Sequence, residues 1–375
     1  MAFTVTLADA ADAGLVGGKA ASLGELSRAG VTVPPGFAVT TRAFTTALAA
    51  VDSGGARRAG IEALSAADLA GIAAAAARFR ALVADAPLPG EVVAAIEAGY
   101  AALAGGGPGD PDVAVRSSAT VEDSAEASFA GLQDTYLGLS GAAAVVDHVR
   151  RCWASLYNDE SVAYRRRLAL PEAGVAMAVV VQRMVAPRAA GVMFTRSPVT
   201  GDRSVVAIEG TWGLGSALVS GDVTPDSWAI SKITGEITTR RVSAKLKIHR
   251  YAPNEGLASP GPSPGSPAGP DAAPADQGGA RVTVADTPAE LRDAPCLSDD
   301  EIRALAAVAR QVEAHYGTPQ DIEWALLDGD AEPSARVVLL QSRPETVWAA
   351  RGSSPAGAPK PRAADHVLAL FGKPL

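Results

Sequence analysis

Gly17-Gly18-Lys19 stands just ahead of a run that carries Leu23 and Leu26 on one helical face. Glycines at a helix start let backbone N–H groups approach an anion, the helix dipole favours negative charge there, and a lysine adds a point charge, so the pattern suits a phosphate. It is not a Walker loop: Gly14-x-x-x-Gly18-Lys19 is one residue short, and Ala20 replaces the magnesium-binding hydroxyl. A glycine turn with a solvated lysine fits the same residues. Arg116 ends the apolar run Val113-Ala114-Val115 and precedes Ser117-Ser118, the place where α/β sheets put ligand-binding groups; a surface ion-pair arginine is the plainer alternative. Small and hydroxyl residues, Gly131 among them, are dense from Arg116 to Thr135, as suits a loop folding over phosphates. Asp321 and Glu323 share one face of a strand by period-2 alternation, and Gln341 and Arg343 share one face of the next. A carboxylate, an amide and a guanidinium brought together suit Mg²⁺ bridging phosphate oxygens, with the arginine neutralising charge on transfer. The competing reading is a cross-strand Glu/Arg ion pair.

Other chemistries find little support. His148, His249, His315 and His366 show no metal spacing and read as structural or surface residues. Cys152 and Cys296 are too few for a zinc module or a disulfide framework, read as core or surface thiols, and fit a reducing compartment. Gly213-Leu214-Gly215 is followed by Ser-Ala-Leu, which breaks the dinucleotide fingerprint, and no nucleophile elbow follows a strand. A net charge of −8 argues against a broad nucleic-acid surface, so an anionic ligand must be met locally. No run approaches the length of a membrane span and the N-terminus lacks a signal-peptide pattern, so a cytoplasmic protein is expected.

The elements that must position these residues read as mixed α/β. A short strand at Phe3 to Leu7, a helix after Lys19, a strand at Phe37 to Val39 and a helix capped by Thr40 or Thr41 are followed by alanine-rich helix from 56 to 104. A helix is expected from Val145 to Arg167. Ala176 to Gln182, Gly191 to Phe194 and Ser204 to Glu209 read as strands at the heart of a sheet. Between Ala252 and Gly279 seven Pro and six Gly mark a flexible insertion. Ser298 opens a capping box with Glu301 and a helix to His315. Strands Asp321–Leu327 and Arg336–Ser342 are expected to form a hairpin around Asp328-Gly329, and the tail from Ala349 is again rich in Pro, Gly and Ala.

These signals coincide with a family. Gly17-Gly18-Lys19-Ala20-Ala21-Ser22-Leu23-Gly24-Glu25-Leu26, Pro34-Pro35-Gly36-Phe37, Val115 to Asp123, Phe129 to Thr135, Gly191-Val192-Met193-Phe194-Thr195, Gly213-Leu214-Gly215, Thr224-Pro225-Asp226 and Gln320-Asp321-Ile322-Glu323-Trp324 with Gln341-Ser342-Arg343-Pro344 resemble, in order and spacing, the nucleotide-binding domain of phosphoenolpyruvate synthase, pyruvate phosphate dikinase and rifampin phosphotransferase. The resemblance covers about residues 10 to 348. It implies an ATP-grasp fold whose two lobes clamp ATP, here residues 1–185 and 186–348, with 252–279 as the insertion and 349–375 as a linker-like tail. It further implies that Lys19 and Arg116 bind phosphates, that Gly131 and Thr135 belong to the covering loop, and that Gln182 lies at the hinge beside the adenine. Glu323 and Gln341 would be Mg²⁺ and phosphate ligands, Arg343 the closing phosphate contact, and Asp321 their support.

In that family the β-phosphoryl group of ATP passes to a histidine on a swivelling domain, with AMP and phosphate or pyrophosphate formed. None of the four histidines here sits in that domain's Gly/Ser-rich motif. The expectation is therefore an ATP-binding subunit that phosphorylates a histidine on a partner protein. The alternative is a self-sufficient ATP-grasp kinase or ligase acting on a small molecule, for example an antibiotic.

Overall fold

The computed structural model describes residues 2–105, 109–119, 134–252, 281–346 and 348, with backbone strands at 123–124 and 127–128. Gly131, most of the expected 252–279 insertion and the tail from 349 lie outside the described residues.

Phe37 and Val39, Val113 and Val115, and Val179 and Val181 alternate with other side chains and so need one covered face each. They obtain it as neighbours in an antiparallel sheet. Its strands are β1 (Thr4–Thr6), β2 (Gly36–Val39), β3 (Val113–Ala119), β6 (Thr135–Leu139) and β7 (Met177–Arg183), in the order β1-β2-β7-β3-β6; a short pair, β4 (Asp123–Ser124) and β5 (Ala127–Ser128), intervenes in sequence. Helices α2 (Thr41–Val51), α3 (Ala56–Glu62), α4 (Leu69–Asp85), α5 (Gly90–Ala104), α6 (Ala142–Ser155) and α7 (Asp159–Arg167) bury Phe44, Ile72, Phe79, Ile96 and Trp153 against that face. The opposite face, with Ala38 and Val180, packs on Val16, Ala20 and Leu23 of α1 (Ala13–Arg28).

A second antiparallel sheet has the order β11-β10-β9-β8-β14-β15, built from β8 (Pro187–Phe194), β9 (Val205–Trp212), β10 (Asp226–Ser231), β11 (Ile237–Arg241), β14 (Gln320–Leu327) and β15 (Val337–Pro344). One face carries Met193, Ile208, Trp228, Ile322 and Trp324 against Ile302, Leu305 and Val312 of α10 (Asp299–Tyr316). The other carries Val192 and Phe194 against Ala217 and Leu218 of α8 (Ser216–Val219). A two-stranded ribbon, β12 (Lys247–Tyr251) with β13 (Val282–Asp286), completes the strands among the described residues and leads into a short helix, α9 (Ala289–Arg292). Leu23 of α1 belongs to the first sheet's cluster and Leu26 to the second's, so α1 ties the two sheets together.

Several expectations change. The three central strands do not share a sheet: β7 lies in the first, β8 and β9 in the second, parted by Met184–Ala186 ahead of Pro187. The helix from 145 to 167 is two helices. Tyr157 is buried, Asn158 takes β-region dihedrals at the start of α7, and its amide oxygen accepts from Arg80, so the chain leaves the helical path there. Asp328-Gly329 is not a tight turn, because the connection runs on through a short helix, α11 (Pro333–Arg336), with proline at its start. Arg116 stands in the middle of β3, not at a strand end.

Other expectations stand. Thr40 caps α2, Cys152 and Cys296 are free core thiols, and burial, first, then Asp226, pushes the Cys296 thiol well up. Ser298 and Glu301 form the capping box of α10. Glu301 also accepts from Arg188 at 2.7 Å and Arg336 at 2.9 Å. Burial raises its pKa, but the Ser298 N–H and the two guanidinium groups outweigh it and hold it below the usual range. Because the folded value is depressed, the stabilisation is present above the unfolded pKa and is lost as pH falls through the folded one. Glu301→Gln is expected to cost about 1.5–3 kcal/mol at pH 7, from urea midpoints, with the difference from the parent closing at acid pH.

Candidate functional site

Gly17 interrupts α1 with φ of 77° and ψ of 161°, so the helix effectively restarts at Gly18-Lys19. A Cβ at Gly17 would lie 2.1 Å from the Ser118 carbonyl oxygen, so both the dihedrals and the close approach to β3 require glycine. That approach buries Lys19, whose Nζ donates to the Ser117 carbonyl at 2.5 Å. The lysine is thus a desolvated cation beside β3 and not a solvated surface residue.

Register places the rest of the first sheet's contribution. Thr135 on β6 pairs with Arg116, and Arg116 with Val180 on β7, so all three side chains share the face that α1 covers. Gln182 is two residues along the same face; it is buried, and its Nε2 donates to the Pro34 carbonyl at 3.2 Å.

Across from them, Glu323 pairs with Gln341 and Asp321 with Arg343, a register that keeps Asp321 with Glu323 and Gln341 with Arg343 on shared faces as expected. A bulge leaves Leu340 as the extra residue between Gln341 and Leu339. Its carbonyl accepts from Arg116 Nη1 at 2.8 Å, while Arg116 Nη2 donates to Glu323 at 2.5 Å and approaches Gln341 at 3.4 Å. One arginine from the first sheet therefore binds the paired strands of the second. Burial alone would raise the Glu323 pKa; Arg116, foremost, with Lys19 and Arg343, outweighs it and holds it below the usual range. That carboxylate is ionised at neutral pH in a field of three cations.

Arg343 Nε lies 3.6 Å from Asp321, so the cross-strand ion pair exists, between these two residues and not with Glu323. Burial pushes Asp321 up to about 7, against the pull of Arg343 and with a push from Glu345, and its buried Oδ1 has no hydrogen-bond partner among the described residues. The structure thus brings Lys19, Arg116, Thr135, Glu323 and Gln341 to one place, with Asp321 and Arg343 one pair further on and Gln182 along the adjoining strand; Gly131 lies outside the described residues.

Sequence reasoning passed over Glu209 and Thr211 on β9, which stand on the second sheet's site face. The available signal was an acid inside an otherwise apolar strand just ahead of Gly213-Leu214-Gly215. Among the described residues no three acidic, histidine or cysteine side chains converge as a self-sufficient metal cage, and no helix is long and apolar enough to cross a membrane.

Two groups of known proteins share this chain's residues. The family model for the pyruvate phosphate dikinase AMP/ATP-binding domain matches residues 13–262 and 272–363, its gap falling within the Pro/Gly-rich stretch. A probable phosphoenolpyruvate synthase of Methanothermobacter thermautotrophicus is 40% identical over 336 residues, 89% of this chain and 44% of the relative. A rifampicin phosphotransferase of a Streptomyces species is 43% identical over 342 residues, 90% of this chain and 35% of the relative. A phosphoenolpyruvate synthase of Aeropyrum pernix is 41% identical over 345 residues, 89% of this chain and 41% of the relative. The chain spans less than half the length of each of these relatives. With two glycines that seat a buried lysine and an arginine that joins two sheets at a carboxylate–amide pair, the chain belongs to the pyruvate phosphate dikinase AMP/ATP-binding domain family.

Proposed function

We propose that this chain is the ATP-binding part of a dikinase-type phosphotransferase, folded as an ATP-grasp clamp of lobes 1–185 and 186–348, with 349–375 as a linker-like tail. The observation that carries the reading is the convergence of Lys19 and Arg116 with Glu323 and Gln341, because catalysis of phosphoryl transfer is largely positioning and charge neutralisation. Lys19, Arg116 and Arg343 hold the phosphates, Gly131 and Thr135 cover them, and Gln182 faces the adenine at the junction of the lobes. Ala190, Ala325 and Val338, with Leu340, form an apolar floor on which the base rests.

Mg²⁺ suits the donor set: Glu323 and Gln341 offer oxygens, and the unpartnered Asp321 Oδ1 offers another. Held by these residues, the ion would supply positive charge that offsets the negative charge of the transferring group. The β-phosphoryl group passes to a histidine nitrogen on a partner domain or protein, AMP leaves as the α–β bond breaks, and the γ-phosphoryl group is taken by water, giving phosphate, or by inorganic phosphate, giving pyrophosphate. We place this reaction in the cytoplasm, in keeping with two free, buried cysteines.

³¹P NMR of ATP turnover, with and without the histidine-bearing partner, tests the reading. AMP formed only in the partner's presence supports it. ADP formed by the chain alone with a small-molecule acceptor would replace it with the second reading, a direct kinase or ligase acting on a compound such as an antibiotic.

A further inference from the structure

Glu209 and Thr211 are buried oxygen-bearing residues whose side chains find no hydrogen-bond partner among the described residues. Among the described residues Glu209, 7% exposed, makes no side-chain hydrogen bond or ion pair, and the Oγ1 of the fully buried Thr211 has no hydrogen-bond partner. A buried polar group left unpaired forfeits its hydration without compensation, so two on one strand call for a physical reason. Both sit on the same face of β9, two residues apart.

The register says what that face adjoins. Glu209 pairs with Val192, Val192 with Glu323 and Glu323 with Gln341, so one row across β9, β8, β14 and β15 runs from Glu209 to the proposed phosphate end. The next row runs from Thr211 through Ala190 and Ala325 to Val338, the apolar floor assigned above to the base. Glu209 and Thr211 therefore flank the seat between base and phosphates.

The group they take is narrowed by charge. Among the described residues no cation pairs with Glu209, and burial pushes its pKa up to about 7. A phosphate there would meet a carboxylate, whereas neutral hydroxyls donate to it at no electrostatic cost. A vicinal diol offers two donors and two acceptors, matching a carboxylate that accepts and a threonine hydroxyl that does both.

We infer that Glu209 and Thr211 bind the ribose hydroxyls of the nucleotide and so make the site selective for ribonucleotides. The inference rests on the ATP-binding reading of the same site. Glu209 accepts from the diol and Thr211 holds the neighbouring hydroxyl, while Lys19, Arg116 and Glu323 handle the phosphates. No bond is made or broken by this pair, so they are binding residues and not catalytic ones.

Isothermal titration of the intact chain with ATP, 2′-deoxy-ATP and 3′-deoxy-ATP tests it. The parent is expected to bind ATP about tenfold or more tighter than at least one deoxy analogue, the size of a hydrogen bond to a charged group. Glu209→Gln, of nearly the same shape, is expected to compress that ratio toward one by weakening ATP while leaving the deoxy analogue unchanged. Thr211→Val provides a second, independent variant, with a smaller compression, should the glutamine variant not fold. Equal binding of all three nucleotides by the parent, or full discrimination retained in a folded variant, overturns the inference and leaves the ATP-binding reading intact. A parent that binds no adenine nucleotide overturns both.

Discussion

Lys19→Ala and Glu323→Gln are each expected to lower ATP-dependent phosphoryl transfer by about 10²–10³-fold, the usual effect of deleting one preorganised electrostatic group at a transition state. The chain should still unfold in one transition near the parental midpoint. The reason lies in how the two residues are held. Lys19 is buried against β3 with its ammonium on the Ser117 carbonyl, so its charge acts in a desolvated setting where it is stronger than in water. Glu323 is kept ionised by Arg116, Lys19 and Arg343, so it is ready to meet a cation carried by the phosphates. The glutamine keeps the hydrogen bond from Arg116 but removes the charge, which separates loss of chemistry from loss of packing. The measurement is transfer of label from [β-³²P]ATP to the histidine-bearing partner, alongside a thermal melt. Undiminished labelling with both variants would remove these residues from the site.

Asp226→Ala is expected to destabilise the fold by about 3–5 kcal/mol, because removing one member of a buried ion pair strands the other. Asp226 and Lys245 are both fully buried, with Lys245 Nζ at 2.6 Å from Asp226 Oδ1. The same carboxylate accepts from the Ser243 N–H and, through Oδ2, from the Cys296 N–H, each at 2.9 Å. It thus pins two separated segments, one carrying Ser243 and Lys245 and the other Cys296, to the start of β10. Deleting it leaves the ammonium with the Ser243 carbonyl at 2.8 Å. Pairing the change with Lys245→Met should recover much of the loss, since it removes the stranded charge and restores apolar volume. Urea midpoints at constant m-value provide the measurement, and a single variant as stable as the parent would refute the role. Thr224-Pro225-Asp226 was recognisable as a motif in the sequence, yet its structural purpose was not, because the partner lies beyond β11 and can be found only by folding.

How far the sequence carries depends on the range of the interaction that decides each feature. Period-2 alternation placed Asp321 with Glu323 and Gln341 with Arg343 on shared faces, and the register bears this out. The capping box at Ser298 and Glu301 and the cap at Thr40 were legible because a cap is closed within four residues. The Gly17-Gly18-Lys19 turn was legible as a break before a helix, although α1 begins earlier, at Ala13, with the break inside it. Where alternation ran through a continuous apolar stretch, nothing local could show that β7 and β8 part into different sheets.

The sequence by itself determined the mixed α/β class, the kinds of residue available to hold a polyphosphate, and which of them share a strand face, since these follow from composition and from the two-residue repeat of an extended chain. Only the tertiary structure decided that Arg116 reaches Glu323 and the bulged Leu340 carbonyl, that Asp321 and not Glu323 pairs with Arg343, and that Glu209 and Thr211 are buried on the same sheet face, the Thr211 hydroxyl without a partner among the described residues. Those outcomes depend on how α1 draws two sheets together and on which groups burial leaves without partners. Both are set by packing between segments hundreds of residues apart, where no local periodicity reaches.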